Sequence, residues 1–204
     1  DGRFRIMEIT QMASFWIAIG YLAGSIPFGF LLTRLGGLGD IRNIGSGNIG
    51  TTNVLRTGNK GLALATLLLD ASKAGVIVVI ARQYAPEHVA YFAGAGAFIG
   101  HIYPVWLKFK GGKGVATYLG FLIATQFELG LVFAIVWLGI ASLSRISSLS
   151  ALTACAVTPA YVLFLGNTPL ATISFLLSSI AFWAHRANLL RLLKGEEPKI
   201  GQKQ

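Results

Sequence analysis

Long stretches without a charged side chain constrain this sequence more than any other feature. One runs from Ala13 to Thr33 and covers 21 residues, and another runs from Ile146 to His185 and covers 40. A helix of about 20 residues, rising about 1.5 Å per residue, spans the hydrocarbon core of a bilayer. Charged residues make up 12% of the chain, well below the share usual in soluble domains. The sequence therefore predicts an all-α integral membrane protein.

Five predicted helices and one turn follow from runs of this kind. The first span is Ala13–Thr33, with a kink at Pro27 because proline cannot donate the helical hydrogen bond. The second runs from about Gly61 to Ala81 and the third from about Val89 to Leu107. Gly166–Pro169 is a turn signal that divides the 40-residue run into two helices.

The region from Gly114 to Ser144 fits either one long helix or two short ones. Its only charged residue is Glu128. A break at Glu128 places 13 of the 17 Lys and Arg residues on the side of the C-terminus, whereas one helix moves Arg145 and the tail to the other side of the membrane and gives a nearly even division of 7 against 9. The positive-inside rule favours the break. We therefore predict seven transmembrane helices, some of them short, with the N-terminus outside and the C-terminus in the cytoplasm.

The N-terminal residues are interpreted separately from this domain. Residues 1–12 are predicted to be a lead-in that includes a short remnant foreign to the native chain, so the native start residue stays open. Residues 13–204 are predicted to form a single seven-helix domain.

The first polar motif is the glycine-rich segment from Gly45 to Asn53, which is followed by basic residues. Small residues let backbone N–H groups form a concave anion site, and Ser, Asn and Thr side chains add neutral donors. The motif contains GxGxxG, but it follows a membrane helix instead of a strand, which argues against dinucleotide binding. A flexible interhelical loop is the alternative. The candidate phosphate-binding residues here are Ser46, Gly47, Asn48, Thr52, Asn53, Arg56 and Lys60.

Two further motifs reach the same predicted side of the membrane. The second places a histidine, His101, before a basic glycine loop, and its alternative is a cluster of lysines that touches anionic lipid. The third is a basic helix end that topology alone also explains. The candidates are Lys110, Gly111, Gly112 and Lys113 in the second motif, and His185, Asn188, Arg191 and Glu197 in the third.

Several classes of function are disfavoured by the sequence. The chain has no room for an exposed basic module that would bind nucleic acid. No cluster of ligands predicts a metal site, no GxSxG nucleophile is present, and no cofactor is expected. Asp70 and Lys73 share a helix face and are either a structural ion pair or ligand contacts. An anion transporter and a structural protein that binds anionic lipid are alternative functions.

Taken together, four segments resemble the PlsY family of bacterial acyl-phosphate-dependent glycerol-3-phosphate acyltransferases. In chain order they are SGNIGTTNVLR (Ser46–Arg56), KGLALATLLLDASKA (Lys60–Ala74), GHIYPVWLKFKGGKG (Gly100–Gly114) and HRANLLRLLKGEE (His185–Glu197). The resemblance covers nearly the whole chain. It implies transfer of a fatty acyl group from acyl phosphate to the 1-hydroxyl of glycerol 3-phosphate, which gives lysophosphatidic acid and phosphate in the first acylation step of phospholipid synthesis.

The resemblance also implies where and how the chain acts. The expected location is the bacterial inner membrane, with a multi-pass chain, a cytoplasmic active site and a monomeric state. Membrane lipid and the two substrates are the expected partners. Asn48, His101 and Asn188 are the expected catalytic residues, and Arg56, Lys113 and the amides near Ser46, Gly47 and Gly111 are expected to bind phosphate. The general base is either His101 or a substrate phosphate. The acyl chain is expected in an apolar groove between helices that the sequence does not specify.

Overall fold

The computed structural model describes residues 2–202, and all of its regular structure over that range is helical. Asp1, which belongs to the predicted lead-in, and residues 203–204 lie outside the described range. Two short 3-10 helices, Ile41–Asn43 and Val105–Leu107, lie in the loops. The α-helices are α1 (Gly2–Gly24), α2 (Phe28–Leu35), α3 (Thr51–Leu55), α4 (Lys60–Tyr84), α5 (Glu87–Ile102), α6 (Val115–Thr125), α7 (Phe127–Ser144), α8 (Ser147–Phe164), α9 (Thr168–Ala184) and α10 (Arg186–Leu193).

The first span is broken where the sequence predicted a kink. α1 ends at Gly24 and α2 begins at Phe28, directly after Pro27. The Ser25 hydroxyl donates to the Leu22 carbonyl oxygen at 2.8 Å and accepts from Trp106 Nε1 at 2.9 Å. Polar groups at the break are thereby satisfied within the protein, as a membrane interior requires.

The two other predicted breaks are also confirmed. α6 and α7 are separated at Gln126, whose extended backbone (φ −159°, ψ 115°) interrupts the helix. Glu128 follows in the first turn of α7, where a carboxylate interacts favourably with the helix dipole. α8 and α9 are separated by a turn that contains Gly166 at φ 80°, a left-handed value that suits glycine.

Length and composition of the helices do not confirm all seven predicted membrane spans. Within residues 2–202, four helical segments are long and apolar enough to cross a membrane: Met7–Leu35, Lys60–Tyr84, Phe127–Ser144 and Ser147–Phe164. The pair α9 and α10, bent by 64°, makes a fifth if it is counted as one span. α5 and α6, with 16 and 11 residues, are shorter than any of these four segments. An all-helical membrane protein with four to five such spans is therefore established.

α5 lies at the centre of the bundle in spite of its length. Its residues Val89, Ala93 and Phe98 are fully buried. Glycines allow α1 to approach it closely, since a Cβ atom at Gly96 would lie 2.3 Å from the Ile17 carbonyl oxygen. Small residues at helix contacts are typical of membrane bundles.

The order of the helices brings the predicted motifs to one end of the bundle. α4, α6 and α8 begin at this end, and α2, α5, α7 and α9 finish there. The segments 36–59, 103–114 and 185–202 therefore meet, and residues of all three line one cavity.

Candidate active site

A cavity of about 400 Å³ lies where the three motifs meet. One part of its wall is polar and is formed by the motif residues. The other part is apolar and is formed by α6, α7 and α8. The apolar lining consists of Val115, Ala116, Leu119, Phe133, Ala134, Trp137, Leu138 and Ala151, with Leu67 of α4.

The structure brings together eleven of the sixteen candidate site residues. Those that line the cavity are Ser46, Asn48, Thr52, Asn53, Arg56, His101, Lys113, His185, Asn188, Arg191 and Glu197. The five that do not are Gly47, Lys60, Lys110, Gly111 and Gly112. Both lysines of this second group are exposed.

Asn53, which lines the cavity, organises the first loop through its side-chain amide. Its Nδ2 donates to the carbonyl oxygens of Ile41, Ile44 and Asn48 at 2.8–3.1 Å, and its Oδ1 accepts from the Ser46 N–H at 3.1 Å. The side chain is buried, and both ends of its amide are occupied by the loop. Asn53 therefore positions the loop, and its predicted contact with substrate stays a prediction.

Several backbone amides that were predicted to bind phosphate are already hydrogen-bonded within the protein. The Ser46 N–H donates to Asn53 Oδ1, and the Gly47 N–H donates to the Ile44 carbonyl oxygen at 3.0 Å. The Gly111 N–H donates to the Ile102 carbonyl oxygen, also at 3.0 Å. These three amides have internal partners in this structure, so their contact with phosphate stays a prediction.

Side chains remain as the donors that the first loop offers to the cavity. Asn48 Oδ1 accepts from the Gly50 N–H at 2.8 Å, which leaves the Nδ2 group as a donor. The Thr52 hydroxyl lies 3.0 Å from the Ser147 hydroxyl. Arg56 Nη1 is buried and has no hydrogen-bond partner among residues 2–202. A buried cationic donor without a partner is costly unless a ligand supplies an acceptor.

Lys113 belongs to a hydrogen-bonded chain that joins the second and third motifs. Its Nζ donates to Asn188 Oδ1 at 2.5 Å, and Asn188 Nδ2 donates to Glu197 Oε1, also at 2.5 Å. Glu197 further accepts from the Ser148 hydroxyl and from Arg191 Nε, each at 2.7 Å. Glu197 thus joins two candidate residues of the third motif, Asn188 and Arg191.

The surroundings of Lys113 and Glu197, which belong to this hydrogen-bonded chain, shift the pKa values of both groups. Burial, opposed by Glu197 and assisted by the nearby Arg191 and Arg56, lowers the pKa of Lys113 to about 8. Burial alone would raise the pKa of Glu197, but the hydrogen bonds from Asn188, Ser148 and Arg191 outweigh it and hold that pKa below its usual value. Glu197 is therefore ionised at neutral pH.

The two cavity histidines have different surroundings. His185 Nδ1 lies 2.8 Å from the Ala181 carbonyl oxygen, to which it must donate because a carbonyl only accepts. This leaves Nε2 as an acceptor in the neutral ring. His101 packs against Gly112, where a Cβ atom would lie 2.0 Å from its Nε2. Gly112 thus acts by making room for the histidine.

Some residues of the cavity were not predicted from the sequence. Ser147 and Ser148 directly follow the helix break at Arg145. This break is on the same side of the membrane as the motifs in the predicted topology, and that position is the signal in the sequence that could have identified them. Asp70, which the sequence left between two roles, also lines the cavity. Within residues 2–202 no group of three or more His, Cys, Asp or Glu side chains is placed to hold a metal ion.

Comparison with known proteins agrees with this geometry. A sequence model described as glycerol-3-phosphate acyltransferase matches residues 14–195. The chain belongs to the glycerol-3-phosphate acyltransferase family. It is 60% identical to the Mesorhizobium japonicum glycerol-3-phosphate acyltransferase over 92% of this chain and 95% of the relative. The corresponding Rhizobium etli protein is 55% identical over 96% of both chains.

Solved structures of the same family share the fold. The crystal structure of PlsY, an integral membrane glycerol 3-phosphate acyltransferase, in its glycerol 3-phosphate form has a TM-score of 0.87 and 36% identity, over 93% of this chain and 96% of that one. The lysophosphatidic acid form has a TM-score of 0.85 and 35% identity, over 93% and 95%. This chain is therefore an acyltransferase of the PlsY type, embedded in a membrane.

Proposed function

We propose that this acyltransferase uses acyl phosphate as its donor and acylates the 1-hydroxyl of glycerol 3-phosphate, giving lysophosphatidic acid and inorganic phosphate. One observation carries the proposal. A single cavity combines a wall of cations and neutral donors with an apolar pocket between helices. Such a cavity suits a reaction in which both substrates carry phosphate and one of them also carries a fatty chain.

Two cations suit the two phosphates. Arg56 offers a guanidinium nitrogen that is buried and lacks a partner, and Lys113 offers an ammonium group at the opposite motif. Hydrogen bonds between charged donors and phosphate are about twice as strong as neutral ones. Crystal structures of the related PlsY in glycerol 3-phosphate and lysophosphatidic acid forms support substrates of this class.

The reaction needs no covalent intermediate with the protein. Acyl phosphate is a mixed anhydride, so the glycerol hydroxyl attacks the acyl carbon directly, the bond from carbon to the phosphate oxygen breaks, and phosphate leaves. The proton of the hydroxyl goes to His101 or to a phosphate oxygen. Asn48 Nδ2 is a neutral donor for the developing charge on the carbonyl oxygen. Catalysis is then mainly positioning and electrostatic preorganisation.

The apolar wall supplies a path for the fatty chain from the bilayer. Leu138 of α7 lines the cavity and is also 62% exposed, so the cavity is open sideways between helices. Phe133 closes the other end, since it is buried and packs edge-on against Tyr118 at 5.6 Å between ring centroids. We assign the acyl groove to α6, α7 and α8.

A bulky side chain in this groove is expected to reduce use of the acyl donor. Ala134→Trp fills part of the cavity, whereas Ile135→Trp changes a neighbour that is 68% exposed and does not line it. Misfit in an apolar pocket costs about 1–3 kcal/mol, so Ala134→Trp should lower kcat/KM for palmitoyl phosphate roughly tenfold or more. The KM for glycerol 3-phosphate should stay within about twofold of the parent value. Equal losses in the two variants would contradict the assignment.

Activity is expected to fall as the pH rises through about 8. Lys113, whose pKa is about 8, holds phosphate only in its charged form, so kcat/KM for glycerol 3-phosphate should decline as the lysine loses its proton. Arginine stays charged, so Lys113→Arg should move this decline to higher pH, whatever its effect on the maximum rate. The measurement is kcat/KM across the neutral and alkaline range. A decline at the same pH in both proteins would assign it to another group.

Membrane placement is part of the same proposal. We infer seven membrane-crossing helices with the N-terminus outside, α5 and α6 being short spans, and a single domain over residues 13–204. The motif end, rich in Lys and Arg, then faces the cytoplasm of a bacterial inner membrane, where glycerol 3-phosphate is available. The protein is proposed to act as a monomer.

The deciding experiment is release of inorganic phosphate by the purified protein in a lipid environment, without ATP or metal. Palmitoyl phosphate and glycerol 3-phosphate are supplied together and separately, and Asn48→Ala is measured beside the parent chain. Release that requires both substrates and collapses in the variant is the expected result. Failure to release phosphate, with glycerol 3-phosphate crossing sealed proteoliposomes instead, would favour a transporter.

A further inference from the structure

A buried ion pair, Asp70 with Lys73, lies next to the cavity residue His101. Lys73 Nζ lies 2.7 Å from Asp70 Oδ1, and both side chains are 2% exposed. Lys73 Nζ also lies 3.3 Å from His101 Nδ1 and 5.2 Å from the centroid of the Phe28 ring. Asp70 and His101 line the cavity, but Lys73 does not.

The position of this pair calls for a function. Charges within a membrane helix are expensive, and a buried ion pair stabilises a fold little compared with apolar side chains of similar size. The substrate contacts proposed above make no use of Lys73. Its cation contacts two groups of the cavity wall, the Asp70 carboxylate and the His101 imidazole, and the imidazole is the one to which the proposed reaction gives a role.

The contact determines which ring nitrogen of His101 carries the proton. An ammonium group has three donors and no acceptor, so His101 Nδ1 must accept from Lys73. Asp70 Oδ1 is 3.7 Å from Nδ1, too far for a hydrogen bond, and is engaged by Lys73. In the neutral ring the proton is then on Nε2. No hydrogen-bond partner for Nε2 is found among residues 2–202.

We propose that Lys73, held by Asp70, fixes His101 as the Nε2–H tautomer, so that His101 donates a hydrogen bond to a substrate oxygen. Lys73 is thus a positioning residue. A nitrogen that carries a proton cannot accept another, which removes His101 from the two candidate bases. The inference rests on the proposed function for the identity of the substrate oxygen, but the tautomer itself is a property of the free protein.

The first test is nitrogen NMR of protein labelled with ¹⁵N-histidine. The sequence holds three histidines, at 88, 101 and 185, so the His101 signals are identified as those missing from His101→Ala. In the parent chain we expect Nε2 to be protonated and Nδ1 to be bare. A protonated Nδ1 in the parent chain overturns the proposal, and this readout requires no variant of Lys73.

The same spectrum of Lys73→Met tests the cause. Without its lysine, Asp70 becomes an uncompensated acceptor beside Nδ1, so the proton should move to Nδ1. An unchanged tautomer in folded Lys73→Met would overturn the role of the lysine. Lys194→Met, in which an exposed lysine is removed, should leave the spectrum unaltered.

Kinetics separate this role from general support of the fold. Loss of one preorganised donor costs about 10²- to 10³-fold in kcat, so Lys73→Met and His101→Ala should each lower kcat in that range with little change in KM. The double variant should lose no more than His101→Ala alone, because Lys73 acts through the histidine. Losses that multiply would overturn the proposal.

A parent chain that transfers no acyl group would instead contradict the proposed function, while the NMR result would still decide the tautomer.

Discussion

Arg56→Ala is expected to lower kcat/KM for glycerol 3-phosphate by about 10²- to 10³-fold, the range found when a preorganised donor to a developing or fixed negative charge is removed. Arg56 Nη1 is buried in the cavity wall and has no hydrogen-bond partner within residues 2–202. A bound phosphate would supply the acceptor that this nitrogen lacks and would offset its desolvation. Initial rates at varied glycerol 3-phosphate measure the effect.

Thermal stability should respond in the opposite direction. Because the guanidinium nitrogen has no partner in the free protein, its removal takes away an uncompensated buried donor, and the Tm of Arg56→Ala should equal or exceed that of the parent.

Arg34→Ala is the matched control, since Arg34 is exposed near the same end of the bundle and does not line the cavity. It should keep activity within about twofold of the parent, as surface substitutions usually do. An Arg56→Ala enzyme within about tenfold of the parent would remove Arg56 from phosphate binding.

The helices and their breaks were predictable because local rules determine them. Uncharged length specified the spans, Pro27 specified the first break, and Gly166 specified the turn between α8 and α9. The number of membrane crossings was harder to predict from the sequence. α5 and α6 are largely buried by neighbouring helices, and a helix in that position need not have the length of an isolated span. Packing, which the sequence does not display, decides such cases.

The candidate site was predictable in its residue types but less so in their individual roles. Glycine-rich loops suggested backbone amides as phosphate donors, but the Gly111 N–H returns to a carbonyl of α5. The same fold of the loop turns Lys113 into the cavity and leaves Lys110 exposed. Two lysines three residues apart in one motif cannot be ranked by composition, because their difference arises from the way the loop is hydrogen-bonded to the end of α5.

Glu197→Ala is expected to lower kcat/KM by about 10²-fold, because its carboxylate is the acceptor that fixes the third motif. Three donors lose their partner at once: Asn188 Nδ2, the Ser148 hydroxyl and Arg191 Nε. Truncating one member of a buried, hydrogen-bonded charge pair costs about 2–5 kcal/mol, much of it from the donors left unpaired. Glu196→Ala is the matched control, since Glu196 is exposed and does not line the cavity.

The pH dependence of stability should also change in this variant. The pKa of Glu197 is held below its usual value in the folded protein, so its contribution to stability is complete above the pKa of an unfolded glutamate and is lost as the pH falls through the folded value. The parent chain should therefore lose Tm on acidification more steeply than Glu197→Ala. Parallel curves of Tm against pH would contradict a stabilising role for the carboxylate.

A shift in the alkaline activity profile separates an electrostatic role of Glu197 from a merely structural one. Glu197 is the charge that opposes the lowering of the Lys113 pKa, whereas Arg56 and Arg191 favour loss of the proton. Without the carboxylate, burial and the two arginines act unopposed, so the pKa of Lys113 must fall further below about 8. The residual activity of Glu197→Ala should then decline at lower pH than that of the parent, while Glu196→Ala should follow the parent. A local loss of packing would reduce the rate at every pH and leave the position of the decline unchanged.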